Sequence, residues 1–280
     1  MSPSASFSYP RVLSIAGSDS GGGAGIQADL KTFAALGCFG MTAITALTAQ
    51  NTRGVRSIHA VPLQILADQI DAVVEDIGVD ATKIGMLHSA DTVRTVASAL
   101  QRHGLTRVVL DPVMIATSGA VLIDSEAVDV LVRELFPLAD VVTPNLDEAA
   151  LLVGQPLQGE ADMEAAARQL VERGARAVLV KGGHLAGETV SDLLLTRAAP
   201  PLWMRAARIA SNNTHGTGCT LSSAIASHLA LGADLPTAVH RAREFVRGAL
   251  AAGADVRTGG GSGPLNHGYA PQAMQLRPLR

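Results

Sequence analysis

Apolar residues in this chain come in short runs, each closed by glycine, proline or a polar turn. Arg11–Ala16 is the first such run, and Gly17–Gly25 ends it. Ile26, Leu30 and Phe33 then recur at helical spacing. Met41–Gln50 mixes threonine with apolar residues and predicts a strand ending in Asn51-Thr52. Val55–Val61 predicts another, and Pro62 opens a helix over Leu63–Ile77. Strands and helices then alternate: strand Thr82–Leu87, helix Ala90–Arg102, strand Arg107–Leu110, helix Asp124–Leu135, strand Asp140–Thr143. Helices Leu146–Leu152 and Asp162–Arg173 follow, then strand Ala175–Val180. Ser191–Thr196 and Leu202–Ile209 read as a polar-edged antiparallel pair joined through Pro200-Pro201. Asn212–Thr220 is a glycine-broken polar turn opening a helix, with Leu221, Ile225 and Leu229 as its buried stripe. A last helix spans Pro236–Ala252.

Continuous apolar strands separated by helices predict a mostly parallel sheet covered by helices on both faces, an α/β fold. No internal repeat or interdomain linker breaks the pattern. The expected layout is a flexible start at 1–10, one domain over 11–257, and a tail at 258–280. Within that tail Thr258–Gly263 is a flexible glycine run and Pro264–Arg280 is coil-like.

Composition narrows the function classes. The formal net charge is −3 over 280 residues, so there is no basic footprint for nucleic acid. The two cysteines, Cys38 and Cys219, build neither a disulfide framework nor a metal cluster, which points to a reducing compartment. The first residues lack the basic start and apolar core of a signal peptide, and no run is long enough to span a membrane. The expectation is a cytoplasmic, small-molecule enzyme without a membrane or nucleic-acid partner.

In a parallel sheet, ligands gather where the strands' carboxyl ends meet the loops. Asp19 and its glycines, Met86, Asp111, Asn145, Glu148 and Lys181-Gly182-Gly183 all fall there. Gly23-Ala24-Gly25-Ile26-Gln27-Ala28 satisfies a dinucleotide fingerprint, but Leu30 to Ala67 holds no acidic residue for the ribose, so an NAD-binding oxidoreductase is a minor alternative. A Walker-type P-loop is absent because no Gly-Lys pair occurs. Asn145 and Glu148 fit a capping box; Glu148 and Asp111 also fit a shared, hydrated Mg²⁺. Asp29 is either a dipole-complementing carboxylate or a ligand hook. Gly216 and Gly218 let the Asn212–Thr220 backbone approach a phosphate at a helix N-terminus, where Cys219 would be expected to ionise more easily.

Six segments, in order, resemble the hydroxymethylpyrimidine/phosphomethylpyrimidine kinases of the ribokinase-like superfamily. They are Gly17–Asp29, Ala43–Thr52, Thr82–Leu87, Thr143-Pro144-Asn145, Lys181–His184 and Thr214-His215-Gly216-Thr217-Gly218-Cys219-Thr220. The resemblance implies a ribokinase-like fold, ATP and Mg²⁺. It also implies two phosphorylations, of 4-amino-5-hydroxymethyl-2-methylpyrimidine and of its monophosphate. It places Gly216, Thr217, Gly218 and Cys219 in an anion hole, with Cys219 where most ribokinase-like enzymes carry a catalytic Asp. Gly17, Asp29, Gln50, Met86, Val113 and His215 would meet the pyrimidine. Asp111, Asn145, Lys181 and Thr217 would meet ATP, and Asp111 and Glu148 the metal. The family allows a homodimer. Gln50 departs from the Glu found in some members, and Gly21 from a frequent Ser. Pyridoxal kinase is the alternative activity, and a non-catalytic binding module a further one.

Overall fold

The computed structural model describes residues 6–114 and 125–279. Twelve strands and eight helices alternate along those residues. The strands are β1 (Phe7–Ser8), β2 (Arg11–Ala16), β3 (Phe39–Ile44), β4 (Ala46–Asn51), β5 (Gly54–Ala60), β6 (Ala81–Ile84), β7 (Val108–Leu110), β8 (Val141–Val142), β9 (Ala177–Val180), β10 (Thr189–Thr196), β11 (Leu202–Ala207) and β12 (Arg277–Pro278). The helices are α1 (Gly25–Ala35), α2 (Leu63–Asp76), α3 (Ala90–Arg102), α4 (Ser125–Glu134), α5 (Leu146–Val153), α6 (Glu160–Glu172), α7 (Thr217–Ala230) and α8 (Leu235–Gly253).

Eight strands form the central sheet in the order β11-β10-β9-β8-β7-β6-β2-β3. The run from β3 to β9 is parallel, and β10 turns back antiparallel against both β9 and β11. β6 to β9 are buried on both faces, so β7, β8 and β9 are apolar throughout, while β6 also buries Thr82 and Lys83. Residues of α2 to α6 pack with one face of the sheet, around Leu13, Ile84, Leu110 and Phe136. On the other face α1, α7 and α8 pack around Phe33, Ile225 and Phe245. The expected covered parallel sheet is what forms.

Three segments differ from expectation. Met41–Gln50 is not one strand: it breaks at Thr45, whose N–H donates to Ala16 O at 3.0 Å and whose hydroxyl donates to Met86 O at 2.7 Å. Those two bonds turn the chain off the sheet into the β4–β5 hairpin. The two ends are also paired: Phe7 and Ser8 of the expected loose start lie antiparallel to Arg277 and Pro278 of the expected coil. The glycine run is anchored too, since Gly261 N–H donates to Thr52 Oγ1 at 3.2 Å. Residues 1–5 and Asp124, the expected first residue of α4, lie outside the described residues.

Candidate active site at the carboxyl edge of the sheet

A cavity of about 590 Å³ opens at the carboxyl ends of the parallel strands, within the size range of small-molecule sites. Its walls come from the β2–α1 loop, the β4–β5 hairpin, the ends of β6, β7 and β9, and the first turns of α5 and α7. All the expected site residues line it except Asp29.

At one end the chain concentrates charge. Asp111 Oδ1 accepts from Lys181 Nζ at 2.8 Å and from Thr143 Oγ1 at 3.2 Å, while Ser222 Oγ donates to Oδ2 at 3.3 Å. Glu148 Oε2 lies 3.8 Å from the same ammonium. Both acids are buried, at 1% and 3% exposure. Burial pushes the Asp111 carboxyl up, but the Lys181 and Lys83 charges outweigh it and hold the group below its usual range. Burial takes Glu148 up to about 7, with Lys181 opposing and Asp111 reinforcing. Glu148 is also the capping box partner of Asn145: Asn145 N–H donates to Oε2 at 2.7 Å and Glu148 N–H to Asn145 Oδ1 at 2.9 Å. The cap and the site are thus the same residue in two roles.

The opposite end is held by hydrogen bonds that converge on one carboxylate. Asp19 accepts the N–H groups of Gly21, Gly23 and Ala24 at 2.8, 3.0 and 2.8 Å. His215 Nε2 stands 2.9 Å from Asp19 Oδ2 and joins this loop to the start of α7. Burial alone would raise Asp19, yet the His215 bond and the backbone donors keep it below its usual value. Gln50 follows a register shift in the hairpin, with Nε2 3.4 Å from His215 Nε2. Gly17 packs under the end of the Met86 side chain: a Cβ there would sit 2.5 Å from Met86 Cε.

Between the two ends lies α7, which begins on Gly216 at φ +84° with no side-chain cap. A Cβ on Gly216 would meet Gly23 O at 1.8 Å, so the turn and the first loop are in backbone contact. Thr217 N–H goes to Thr214 O and Thr220 N–H to Gly216 O; Gly218 and Cys219 N–H have no partner among the described residues. A Cβ on Gly218 would lie 3.3 Å from Lys181 Nζ and 3.6 Å from Asp111 Oδ2, so these open amides border the charged end.

Two expectations change here. Asp29 is no ligand hook: it is 0% exposed and pairs with Lys83 Nζ at 3.0 Å through both oxygens. Ser14 and Ser223 hydroxyls complete it, each at 2.6 Å. Nor is the Cys219 thiol made more acidic. Burial pushes it up to about 11, with Asp29 and Asp111 reinforcing, and Lys83 and the Gly25 N–H fail to reverse that. Sequence reasoning gave Lys83, within the Thr82–Leu87 segment, no role of its own, although a lysine inside the buried strand β6 demands a buried acid.

A family model described as phosphomethylpyrimidine kinase matches residues 19–266. The hydroxymethylpyrimidine/phosphomethylpyrimidine kinase of Rhizobium meliloti is 52% identical over 91% of this chain and 96% of its own length. The thiamine biosynthesis bifunctional protein ThiED of Geobacter sulfurreducens is also 52% identical, over 96% of this chain, which spans 55% of that longer relative. Among solved structures, an ADP complex of Bacillus subtilis pyridoxal kinase superposes with a TM-score of 0.85 at 36% identity, covering 93% of this chain and 98% of that one. With the family model matching most of its length, the chain belongs to the phosphomethylpyrimidine kinase family.

Proposed function

We propose that the protein transfers the γ-phosphoryl group of ATP to the alcohol of 4-amino-5-hydroxymethyl-2-methylpyrimidine, and then to the resulting monophosphate, for thiamine biosynthesis. One observation carries this assignment: the Gly218 and Cys219 N–H groups, without a partner among the described residues, border a Lys181–Asp111–Glu148 cluster inside one cavity. Phosphoryl transfer asks mainly for positioning and charge neutralisation, and this arrangement supplies both.

The donor set suits Mg²⁺. Two buried carboxylates face the cavity, and Mg²⁺ is held by one or two carboxylates while sharing the phosphates and its own waters. Asp111 and Glu148 would hold it, and it would neutralise phosphate charge there. Lys181, 14% exposed and bonded to Asp111, holds a fixed positive charge against the phosphates. The Gly218 and Cys219 N–H groups receive the equatorial oxygens of the group in flight. Asp19, His215 and Gln50 orient the acceptor.

The Cys219 side chain takes the hydroxymethyl proton as the oxygen attacks phosphorus. With the thiol near 11, only a small fraction is thiolate at neutral pH. Alcohol turnover therefore rises with pH towards that value. The monophosphate acceptor is already an anion and shows a shallower rise. Replacing Cys219 with Ala lowers alcohol turnover about 100-fold or more, flattens that pH profile and leaves ATP binding near the parent value. Undiminished alcohol turnover in Cys219→Ala refutes the base assignment.

Pyridoxal phosphorylation is the second activity, which Gln50 in the cavity wall leaves open and the likeness to a pyridoxal kinase supports. Parallel kinetics with both pyrimidines and pyridoxal decide between them, and a pyridoxal preference overturns the main assignment.

A further inference from the structure

The segment after α8 runs between the two loops that face each other across the cavity. At its start, Gly261 N–H donates to Thr52 Oγ1 at 3.2 Å, at the tip of the hairpin that carries Gln50. Further on, Gly263 O accepts His215 N–H at 3.1 Å, and Ser262 Oγ donates to Asn212 O at 3.0 Å. Beyond these lies His267, 5% exposed, with Nε2 2.9 Å from Thr220 Oγ1.

Thr220 belongs to the first turn of α7. Both its hydroxyl and its N–H donate to Gly216 O, each at 2.8 Å. A threonine hydroxyl can hold two partners at once, and here the Gly216 carbonyl and the His267 ring nitrogen are those two. The result is a short chain, His267 to Thr220 to the Gly216 carbonyl. It matters because Gly216 offers α7 no side-chain cap. The start of the helix is held from inside instead, by Thr220 and by the ring behind it.

We propose that His267 is a positioning residue for phosphoryl transfer. Through Thr220 it fixes the Gly216 carbonyl, and with it the direction of the Gly218 and Cys219 N–H groups. His267 itself is not part of the cavity wall. The proposal rests on the assignment of Gly216–Cys219 as the anion hole. Preorganised donors act through their alignment, so a small rotation of this turn reaches the rate before it reaches binding.

The test compares His267→Ala, His267→Gln, Thr220→Val and the double variant His267→Ala/Thr220→Val in the full chain. Steady-state kinetics on both pyrimidines are paired with amide hydrogen exchange over Thr217–Thr220. His267→Ala is expected to lower kcat about tenfold on both acceptors, with KM for ATP and pyrimidine within about twofold. His267→Gln keeps a side-chain amide that can donate to or accept from Thr220 Oγ1, and recovers kcat to within about threefold of the parent. The double variant is no worse than the poorer single variant, because both break one link. Exchange over Thr217–Thr220 quickens in His267→Ala, while α3 and α5 keep the parent rates.

A parent-like kcat in His267→Ala, losses that multiply in the double variant, or unchanged exchange would each overturn the proposal. Should His267→Ala fail to fold, Thr220→Val against Thr220→Ser makes the same comparison at the other end of the bond. If the unmodified protein turns over neither pyrimidine, the functional assignment falls, and the exchange measurement alone decides whether His267 sets this turn.

Discussion

Helices α5 and α7 start at the same edge of the sheet and face the same cavity, but their first turns are built in opposite ways. α5 begins with a complete capping box, Asn145 and Glu148 each accepting the other's N–H, at 2.9 and 2.7 Å. α7 begins on a glycine with no side-chain cap, and its Gly218 and Cys219 N–H groups have no partner among the described residues. A capped start uses its orphan amides within its own chain; an uncapped one keeps them for an anion. The difference separates a helix that supplies side chains to the site from one that supplies backbone. α5 contributes the Glu148 carboxylate, and α7 contributes direction.

The largest effect is expected where α7 depends on having no side chain. Gly216→Ala places a methyl 1.8 Å from Gly23 O at φ +84°, so the turn must move off the first loop. Losing such a donor pair lowers kcat about 100- to 1,000-fold. Steady-state kinetics check it, with circular dichroism to confirm that the chain still folds. Turnover within threefold of the parent would break the contrast, because α7 would then not act through its backbone.

A second effect sharpens the contrast at the other end of α7. The last turn carries His228, 8% exposed and with no partner for Nδ1 among the described residues, and burial beside Arg241 lowers its pKa to about 4. The unfolded chain, near 6.5, binds a proton that the folded chain refuses. The unfolded state therefore binds more protons between those values, and stability falls as pH drops from 6.5 towards 4. The loss reaches up to roughly 3 kcal/mol at the acid limit. His228→Gln removes that part of the acid sensitivity in urea melts at pH 7 and pH 4.5. An equal acid loss in parent and variant would show that α7 is not where the proton enters.

How far these features could be read from the sequence depended on whether they are local. The alternation of apolar strands and helices gave the sheet, and the strand-end positions of Asp111, Asn145, Glu148 and Lys181 gave the charged end of the cavity. Asp29 was misassigned because its partners come from three distant elements: Ser14 on β2, Lys83 on β6 and Ser223 on α7. Spacing along one helix carries no trace of that convergence. Lys83, the one charged residue of its buried strand, was the available signal. The Cys219 thiol was misjudged because a helix start is visible in sequence and burial is not. The glycine run after α8 read as flexible because glycine has no pattern. In the fold its glycines are there for contact, and a Cβ on Gly261 would lie 2.0 Å from Thr52 O.

A third prediction is made within α5 and concerns its side chain. Glu148→Gln keeps the side-chain acceptor for Asn145 N–H but removes a charge beside Lys181. Because the charge is used on ATP and metal, the expected result is a higher apparent KM for MgATP and kcat lowered about tenfold. The pyrimidine KM stays near the parent value. A change confined to the pyrimidine KM would place Glu148 at the acceptor end instead.

The smallest effect belongs to the cap itself. Asn145→Ala removes the oxygen that accepts Glu148 N–H, yet residue 145 keeps its own N–H, which still donates to Glu148 Oε2. Half of the box is lost while the carboxylate stays aimed. Stability falls by about 1 kcal/mol, the usual worth of such a cap, and kcat stays within about twofold of the parent. Urea melts and the same kinetic assay read both numbers. A kcat loss comparable to that of Gly216→Ala would mean that α5 also works through its first-turn backbone. A stability loss without a rate loss is what a closed helix start predicts: its amides serve the fold, and only the side chain it positions reaches the reaction.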